Sequence, residues 1–291
     1  MTLLSSSLKL RQTPPLTSQE FTSLRDFIYS LTGIHIPEKR KYLLENRLGS
    51  RIKDLGLKSF AEYHRFLRSD PKRNQEIDTL CEKITTNETS FFRDTRQLQV
   101  VQDHVLRPLL NQRQKAGKKD LRIWSAGCSS GEEPYTLAMM LHEALRLSII
   151  GWDIRITAND ISRAMLTKAT QGVYTSHALR TTPKDILAKY FTQEPRGNKI
   201  HPKVQKLVAF SRINLNDRAE IKKIPRSQII FCRNVIIYFD EAMKKRVINA
   251  FYDNLLPGGI LVLGHSESIH KITRAFKPVI KQGGMFYQKA E

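Results

Sequence analysis

Residues Arg122 to Tyr135 read Arg-Ile-Trp-Ser-Ala-Gly-Cys-Ser-Ser-Gly-Glu-Glu-Pro-Tyr, and no other stretch constrains the fold as much. Leu121-Arg122-Ile123-Trp124 predicts a buried strand, and Ala126-Gly127-Cys128-Ser129-Ser130-Gly131 a tight loop of small residues. A helix follows at once. Glu132 and Glu133 favour the positive end of its dipole, and Pro134 needs no hydrogen bond in the first turn. Strand, glycine loop and helix open a nucleotide-binding α/β unit, where the lack of Cβ lets a ligand approach the backbone. The two acids disfavour a phosphate at that helix start. A cationic, ribose-bearing ligand fits better, and S-adenosylmethionine carries a sulfonium and two ribose hydroxyls. The spacing Gly127-xxx-Gly131 falls short of the full G-x-G-x-x-G fingerprint, so the loop alone also suits a plain tight turn.

A second strand, Ile154 to Ala158, ends at Asn159-Asp160. An acid at that point holds ribose hydroxyls in doubly wound sheets. Asp160 can instead cap the helix that begins near Ser162. Strands at 121–124, 154–158, 207–210, 229–232 and 259–263 alternate with helices at 133–146, 162–170 and 241–255, which means a mostly parallel sheet. Between Gly172 and Val208 the alternation breaks. Ala178 to Phe191 is partly helical, and Gln193 to Pro202 reads as a loop between short strands, giving a small inserted β-subdomain near 173–206.

The N-terminal part differs. Residues 1–16 read as a disordered arm, and 17–85 as a compact helical domain without strand signal. Thr17-Ser18-Gln19-Glu20 is a helix start, and Phe21, Leu24, Phe27, Ile28 and Leu31 follow at helical spacing. A second helix from about Lys39 to Leu55 buries Leu44, Leu48, Ile52 and Leu55. Beside that face Arg40, Arg47 and Arg51 fall within ~40° of arc at 3.6 residues per turn. The stripe is either a solvated helix face or a docking surface. Two shorter helices, Ser59 to Leu67 and Gln75 to Thr85, complete the domain. Residues 86–120 read as a linker, and 121–291 as the α/β domain.

Composition narrows the classes. In 291 residues no apolar run approaches a membrane span, and the N-terminus has no basic start followed by a long apolar core, so neither membrane insertion nor a signal peptide is expected. Cys81, Cys128 and Cys232 lack metal-ligand spacing, and their odd number does not make a disulfide framework, so no metal and a reducing cytoplasm are expected. The net charge is +20, densest in residues 181–291, which hold 20 basic and 9 acidic residues. Such a field attracts an acidic partner.

Five segments in fixed order match one family. They are Ile84-Thr85-Thr86-Asn87-Glu88-Thr89-Ser90-Phe91-Phe92-Arg93-Asp94, the Trp124 to Tyr135 loop, Asn159-Asp160-Ile161-Ser162, Phe231-Cys232-Arg233-Asn234-Val235-Ile236-Ile237-Tyr238-Phe239-Asp240, and Leu263-Gly264-His265-Ser266-Glu267-Ser268. The chain resembles the chemotaxis receptor glutamate methyltransferases, the CheR family, from about Phe21 to Tyr287. The resemblance implies an α/β fold: a doubly wound S-adenosylmethionine-dependent methyltransferase sheet with a small all-helical N-terminal domain and an inserted small β-subdomain. It implies S-adenosylmethionine as cofactor and S-adenosylhomocysteine as product. The family's cofactor contacts carry over onto Asn87, Thr89, Arg93, Glu133, Asp160, Asn214, Leu215, Arg233 and Asn234, with Gly127 in the loop. The implied substrate is a glutamate γ-carboxylate on the cytoplasmic signalling region of chemoreceptors. Arg40, Arg47 and Arg51 are the expected docking residues for an acidic helical face. No nucleic-acid partner is expected, and the chain is expected to act as a monomer. Ser130 replaces the family's usual threonine, and Gln228 stands where an aspartate is common.

A carboxylate nucleophile is already ionised at neutral pH and needs orientation rather than a base. Arg93, Arg233 and Tyr238 are the expected catalytic residues, as carboxylate clamps and hydrogen-bond donor. Tyr238 can instead pack beneath the sheet edge. The Gly264 to Ser268 stretch lacks the second glycine of a serine-hydrolase elbow and is expected to be a simple turn. An RNA or DNA methyltransferase would suit the charge, but the Asn/Asp-Pro-Pro-aromatic signature of base amino methylation is absent.

Overall fold

The structure, a computed structural model, describes residues 14–291, and the chain divides into two compact units, the first ending at Thr85 and the second running Thr86–Glu291.

In the first unit, α1 (Ser18–Thr32), α2 (Lys41–Asp54, entered through a 3-10 turn at Glu38–Arg40), α3 (Phe60–Ser69) and α4 (Arg73–Ile84) form a helical bundle. A capping box starts α1: Thr17 accepts the Glu20 N–H, and the Glu20 carboxylate accepts the Thr17 N–H. Phe21, Leu24, Ile28, Leu44, Leu48, Ile52, Phe60, Tyr63 and Leu80 fill the core. Leu16 joins that core, with its N–H donating to Glu45 Oε1 at 3.1 Å, so the helical fold begins before Thr17. The rest of the expected arm, residues 1–13, lies outside the described residues.

The second unit opens with helix where a linker was expected: α5 (Thr95–Val101), a π-helical turn (Gln102–Leu106) and α6 (Arg107–Lys115). Leu98, Val101, Val105, Leu106 and Leu110 recur at helical spacing and pack into the main core. The sheet begins with β1 (Asp120–Ala126), α7 (Glu132–Leu145), β2 (Asp153–Asp160) and α8 (Arg163–Gln171). The insertion contributes β3 (Val173–Tyr174), α9 (Lys184–Tyr190), β4 (Phe191–Glu194), β5 (Gly197–Ile200) and α10 (Pro202–Gln205). The chain then returns through β6 (Val208–Arg212), α11 (Arg218–Ile221), β7 (Ser227–Cys232), α12 (Glu241–Asn254), β8 (Leu255–Leu263), β9 (Phe276–Lys281) and β10 (Gly284–Lys289).

Seven strands pair in the order β6-β2-β1-β7-β8-β10-β9, and β3-β5-β4 form a separate antiparallel sheet. The pairs β1–β2, β1–β7, β2–β6 and β7–β8 are parallel, whereas β10 runs antiparallel to β8 and β9. Every residue of β7 is buried, as expected of a strand covered on both faces. Trp124 of β1 packs edge-on against Phe251 of α12, ring centroids 5.1 Å apart. Because β1, β2, β6 and β7 are parallel, the segments that follow Ala126, Asp160, Arg212 and Cys232 emerge along one edge. Among the described residues no helix is long and apolar enough to cross a membrane.

Candidate functional site

The site lies at that edge, between β1 and its two parallel neighbours. Gly127 and Cys128 donate their N–H groups to Asn159 O at 2.8 and 2.9 Å, tying the glycine loop to the end of β2. Gly127 has φ 76°, and a Cβ there would stand 2.5 Å from Val235 Cγ2. The loop and the turn after β7 therefore close on each other in a way only glycine permits. Asp160 is 7% exposed, and it accepts the Ser129 N–H at 2.8 Å and the Ser162 N–H at 2.9 Å, one on each oxygen. The cap of α8 is Ser162 itself, whose Oγ accepts the Met165 N–H at 3.3 Å. Burial raises the Asp160 pKa above the ordinary Asp value, against the opposing pull of the backbone donors. Glu133, in the first turn of α7, accepts the Ser125 hydroxyl at 2.8 Å. Burial pushes the Glu133 carboxyl up as well, with Arg233 opposing it.

Arg233 is a hub. Its Nε donates to Gln97 Oε1 at 2.8 Å, its Nη2 to Arg93 O at 2.8 Å and its Nη1 to Glu133 Oε2 at 3.4 Å. Gln97 in turn donates to Leu263 O at 2.6 Å. One buried guanidinium thus joins α5, the 86–94 segment, α7 and the end of β8. Arg93 is half-buried, and its Nη1 donates to Glu88 O at 2.9 Å. Asn87 O accepts the Ser129 hydroxyl at 3.4 Å, which brings the segment bearing Asn87 and Thr89 to the glycine loop. Ile213 N–H reaches Asp160 O at 3.2 Å, so Asn214 and Leu215 follow beside the end of β2. Tyr238 is half-buried at the close of a 3-10 turn, Ile236–Tyr238.

Five non-glycine residues have positive φ among the described residues, and four of them, Phe92, Asp94, Ser129 and Asn234, lie on segments of this edge. Such conformations cost ~1–3 kcal/mol each and persist where surrounding contacts impose them.

These residues suit a group with a ribose and a positive charge. Asp160 offers a fixed carboxylate with lone pairs beyond its two backbone bonds, and Glu133 offers a second acid. Cys232 is fully buried and its thiol is pushed well up by burial, which removes it as a nucleophile.

The stripe Arg40, Arg47 and Arg51 belongs to the first unit. Arg40 is exposed. Arg47 Nη1 donates to Ile84 O at 2.5 Å. Arg51 holds the buried Glu76 in a forked pair, Nε to Oε1 at 3.0 Å and Nη2 to Oε2 at 2.5 Å, and Tyr63 donates its hydroxyl to Glu76 at 2.8 Å. Two guanidiniums of the stripe are thus engaged within their own unit.

Two side chains that tie this edge together were not singled out in the sequence. Gln97 sits in helix α5, where a linker was expected. Glu267 sits in the Gly264 to Ser268 turn, 4% exposed, and both its oxygens accept backbone N–H groups. Only the placing of that motif among the matching segments hinted at its use.

Residues 87–284 match the family model described as CheR methyltransferase, SAM binding domain, and residues 19–85 that described as CheR methyltransferase, all-alpha domain. The chain is 37% identical over 263 residues to chemotaxis protein methyltransferase 2 of Vibrio cholerae, covering 90% of this chain and 89% of the relative. It is 39% identical over 259 residues to the chemotaxis protein methyltransferase of Borreliella burgdorferi, covering 87% and 89%. A third relative, chemotaxis protein methyltransferase Cher2 of Pseudomonas putida, is 33% identical over 276 residues, covering 92% and 97%. With both family domains matched in order and relatives of this identity along nearly its whole length, the chain belongs to the CheR methyltransferase family.

Proposed function

We propose that this chain methylates glutamate γ-carboxylates of chemoreceptor proteins, using S-adenosylmethionine and releasing S-adenosylhomocysteine, as part of chemotactic adaptation. The observation that carries this reading is the convergence of the Gly127 loop, Asp160, Glu133 and the Arg233 to Tyr238 turn at one edge of a parallel sheet. Relatives named chemotaxis protein methyltransferases support the substrate class.

When bound, the cofactor supplies an electrophilic methyl group on a positively charged sulfur. Asp160 would accept its ribose hydroxyls, and Glu133 would set a negative field for its charge. Asn87, Thr89, Arg93, Gly127, Asn214, Leu215 and Asn234 would line the rest, and Arg233 would hold Glu133 and the Arg93 backbone in place. The glutamate carboxylate is an anion at neutral pH, so no protein base is required. Arg93 and Tyr238 would orient it, and exact orientation of this kind is worth ~7–11 kcal/mol. Arg93 suits the clamp better than Arg233, because all three Arg233 nitrogens are engaged in the buried hub. The cytoplasmic signalling region of a receptor, presenting an acidic helical face, would dock on the basic surface at the exposed Arg40, with Arg47 and Arg51 of the same stripe held by Ile84 O and Glu76, and the enzyme would act as a monomer.

The test is transfer of label from methyl-labelled cofactor to purified receptor signalling regions, followed by alkali. Release of the label as methanol supports a methyl ester. Label that resists alkali, or that appears on RNA and not on receptor, would remove this function.

A further inference from the structure

The Gly264 to Ser268 turn carries a group that the proposed chemistry leaves unused. Glu267 is 4% exposed, and its carboxyl group accepts four backbone N–H groups. Oε2 takes those of Gly264 and Asn234, each at 2.7 Å, and Oε1 those of Val235 and Ile237, at 3.0 and 3.2 Å. Strand β7 ends at Cys232, so Asn234, Val235 and Ile237 have no ladder partner for these donors. Backbone donors that leave a strand need other acceptors, and here one side chain from after β8 satisfies three of them in the turn after β7. Asn234 is held at φ 60°, a left-handed conformation that Asn adopts more readily than other non-glycine residues. Gly264 is shaped to the same contact: a Cβ there would fall 2.7 Å from Glu267 Oε2 and 3.0 Å from Asn234 N.

We infer that Glu267 is a positioning residue for methyl transfer, fixing the Asn234 to Tyr238 turn in the one backbone conformation that presents Asn234 to the cofactor and Tyr238 to the substrate carboxylate. The inference rests on the function proposed above. Glu267 itself touches neither reactant. Its two oxygens and the four N–H groups form a closed set, so any replacement that lacks two acceptor oxygens leaves donors unpaired and releases the turn. Glutamine is the sharpest case: its oxygen can still serve two donors, but its NH2 faces the other two.

The experiment uses Glu267→Gln and Gly264→Ala in the full chain. The first changes two acceptor contacts, and the second keeps the carboxyl group and crowds it. S-adenosylhomocysteine is titrated by calorimetry to count cofactor-competent sites, and kcat and KM on receptor are measured per competent site. The expected result is a loss of at least tenfold in kcat per site, with the site count kept and the receptor KM changed by a smaller factor. Ser266→Ala, an exposed neighbour in the same turn, should leave kcat unchanged. Unchanged kcat per site in both variants, or a fall in activity matched by an equal fall in cofactor sites, would overturn the inference, since the latter is what a purely structural residue produces. A native enzyme with no methyl transfer to receptor would instead overturn the proposed function, so the two failures are distinct.

Discussion

Arg233 Nη1 stands 3.4 Å from Glu133 Oε2, with the two side chains 4% and 14% exposed, so the end of β7 and the first turn of α7 are joined by a buried ion pair. Breaking such a pair from one side costs ~3–5 kcal/mol, because the other charge is left unpaired in a dry place. Arg233→Ala should therefore lower the melting temperature of the second unit sharply. Arg233→Lys should not rescue it, since a single ammonium cannot reach Gln97, Arg93 O and Glu133 together. Differential scanning calorimetry checks this; a native-like melt for Arg233→Lys would contradict the hub.

Asp160 ties cofactor affinity to pH. A charged hydrogen bond contributes ~1.5–3 kcal/mol, so Asp160→Ala should weaken S-adenosylhomocysteine at least tenfold with circular dichroism unchanged. Burial raises the Asp160 pKa, and it is the ionised form that accepts hydroxyl hydrogens without a competing proton. Affinity should therefore be full above the raised pKa and fall as pH drops through it, at a pH above the ordinary Asp range. In Asp160→Asn that fall should shrink to the part that Glu133 supplies, since burial raises its pKa as well. Calorimetric titration over a pH series decides.

In the first unit, the Arg51 pair with Glu76 makes charge reversal a test of folding and not of docking. Arg51→Glu would place two carboxylates together beside Tyr63, so the helical unit should unfold. Arg40→Glu reverses an exposed charge and should leave the melt alone while raising the receptor KM a few-fold at low salt. Exposed charges are screened beyond about 8–10 Å at physiological salt, so the effect should fade as salt rises. An unchanged KM at low salt would take Arg40 out of the docking surface.

Tyr238→Phe removes one donor and keeps the ring. It should lower kcat by one to two orders of magnitude, at ~1.4 kcal/mol per tenfold, with cofactor affinity little changed. The native rate should stay flat from about pH 6.5 to 8.5, because a glutamate carboxylate is already ionised there. Native-like turnover in Tyr238→Phe would exclude the hydroxyl from orienting substrate, and a steep rise near neutrality would require a base.

Much of the second unit was legible because its signals are local. The run from Leu121 to Pro134 states strand, loop and helix in order, and β1 and α7 fall within a residue or two of the expected bounds. Helix α5 and the turn after it were not legible, since Gln97, Gln99, Gln102 and Asp103 interrupt an apolar spacing that only the sheet beneath makes meaningful. The roles of Gln97 and Glu267 were hidden for a different reason: each bonds to backbone far away in sequence, Leu263 for one and Asn234 to Ile237 for the other. Sequence spacing carries no trace of such pairings. The engagement of Arg51 by Glu76 was hidden in the same way, because the helix face showed the charge and not its partner on α4.

The most direct measurement is peptide mass spectrometry of a receptor signalling region after incubation with the enzyme and S-adenosylmethionine. The expected result is methyl groups on glutamate side chains only, lost on mild alkali and absent when those glutamates are replaced by alanine. Methyl groups on nitrogen or sulfur, stable to alkali, or none on the receptor while nucleic acid is modified, would contradict glutamate esterification as the reaction of this site.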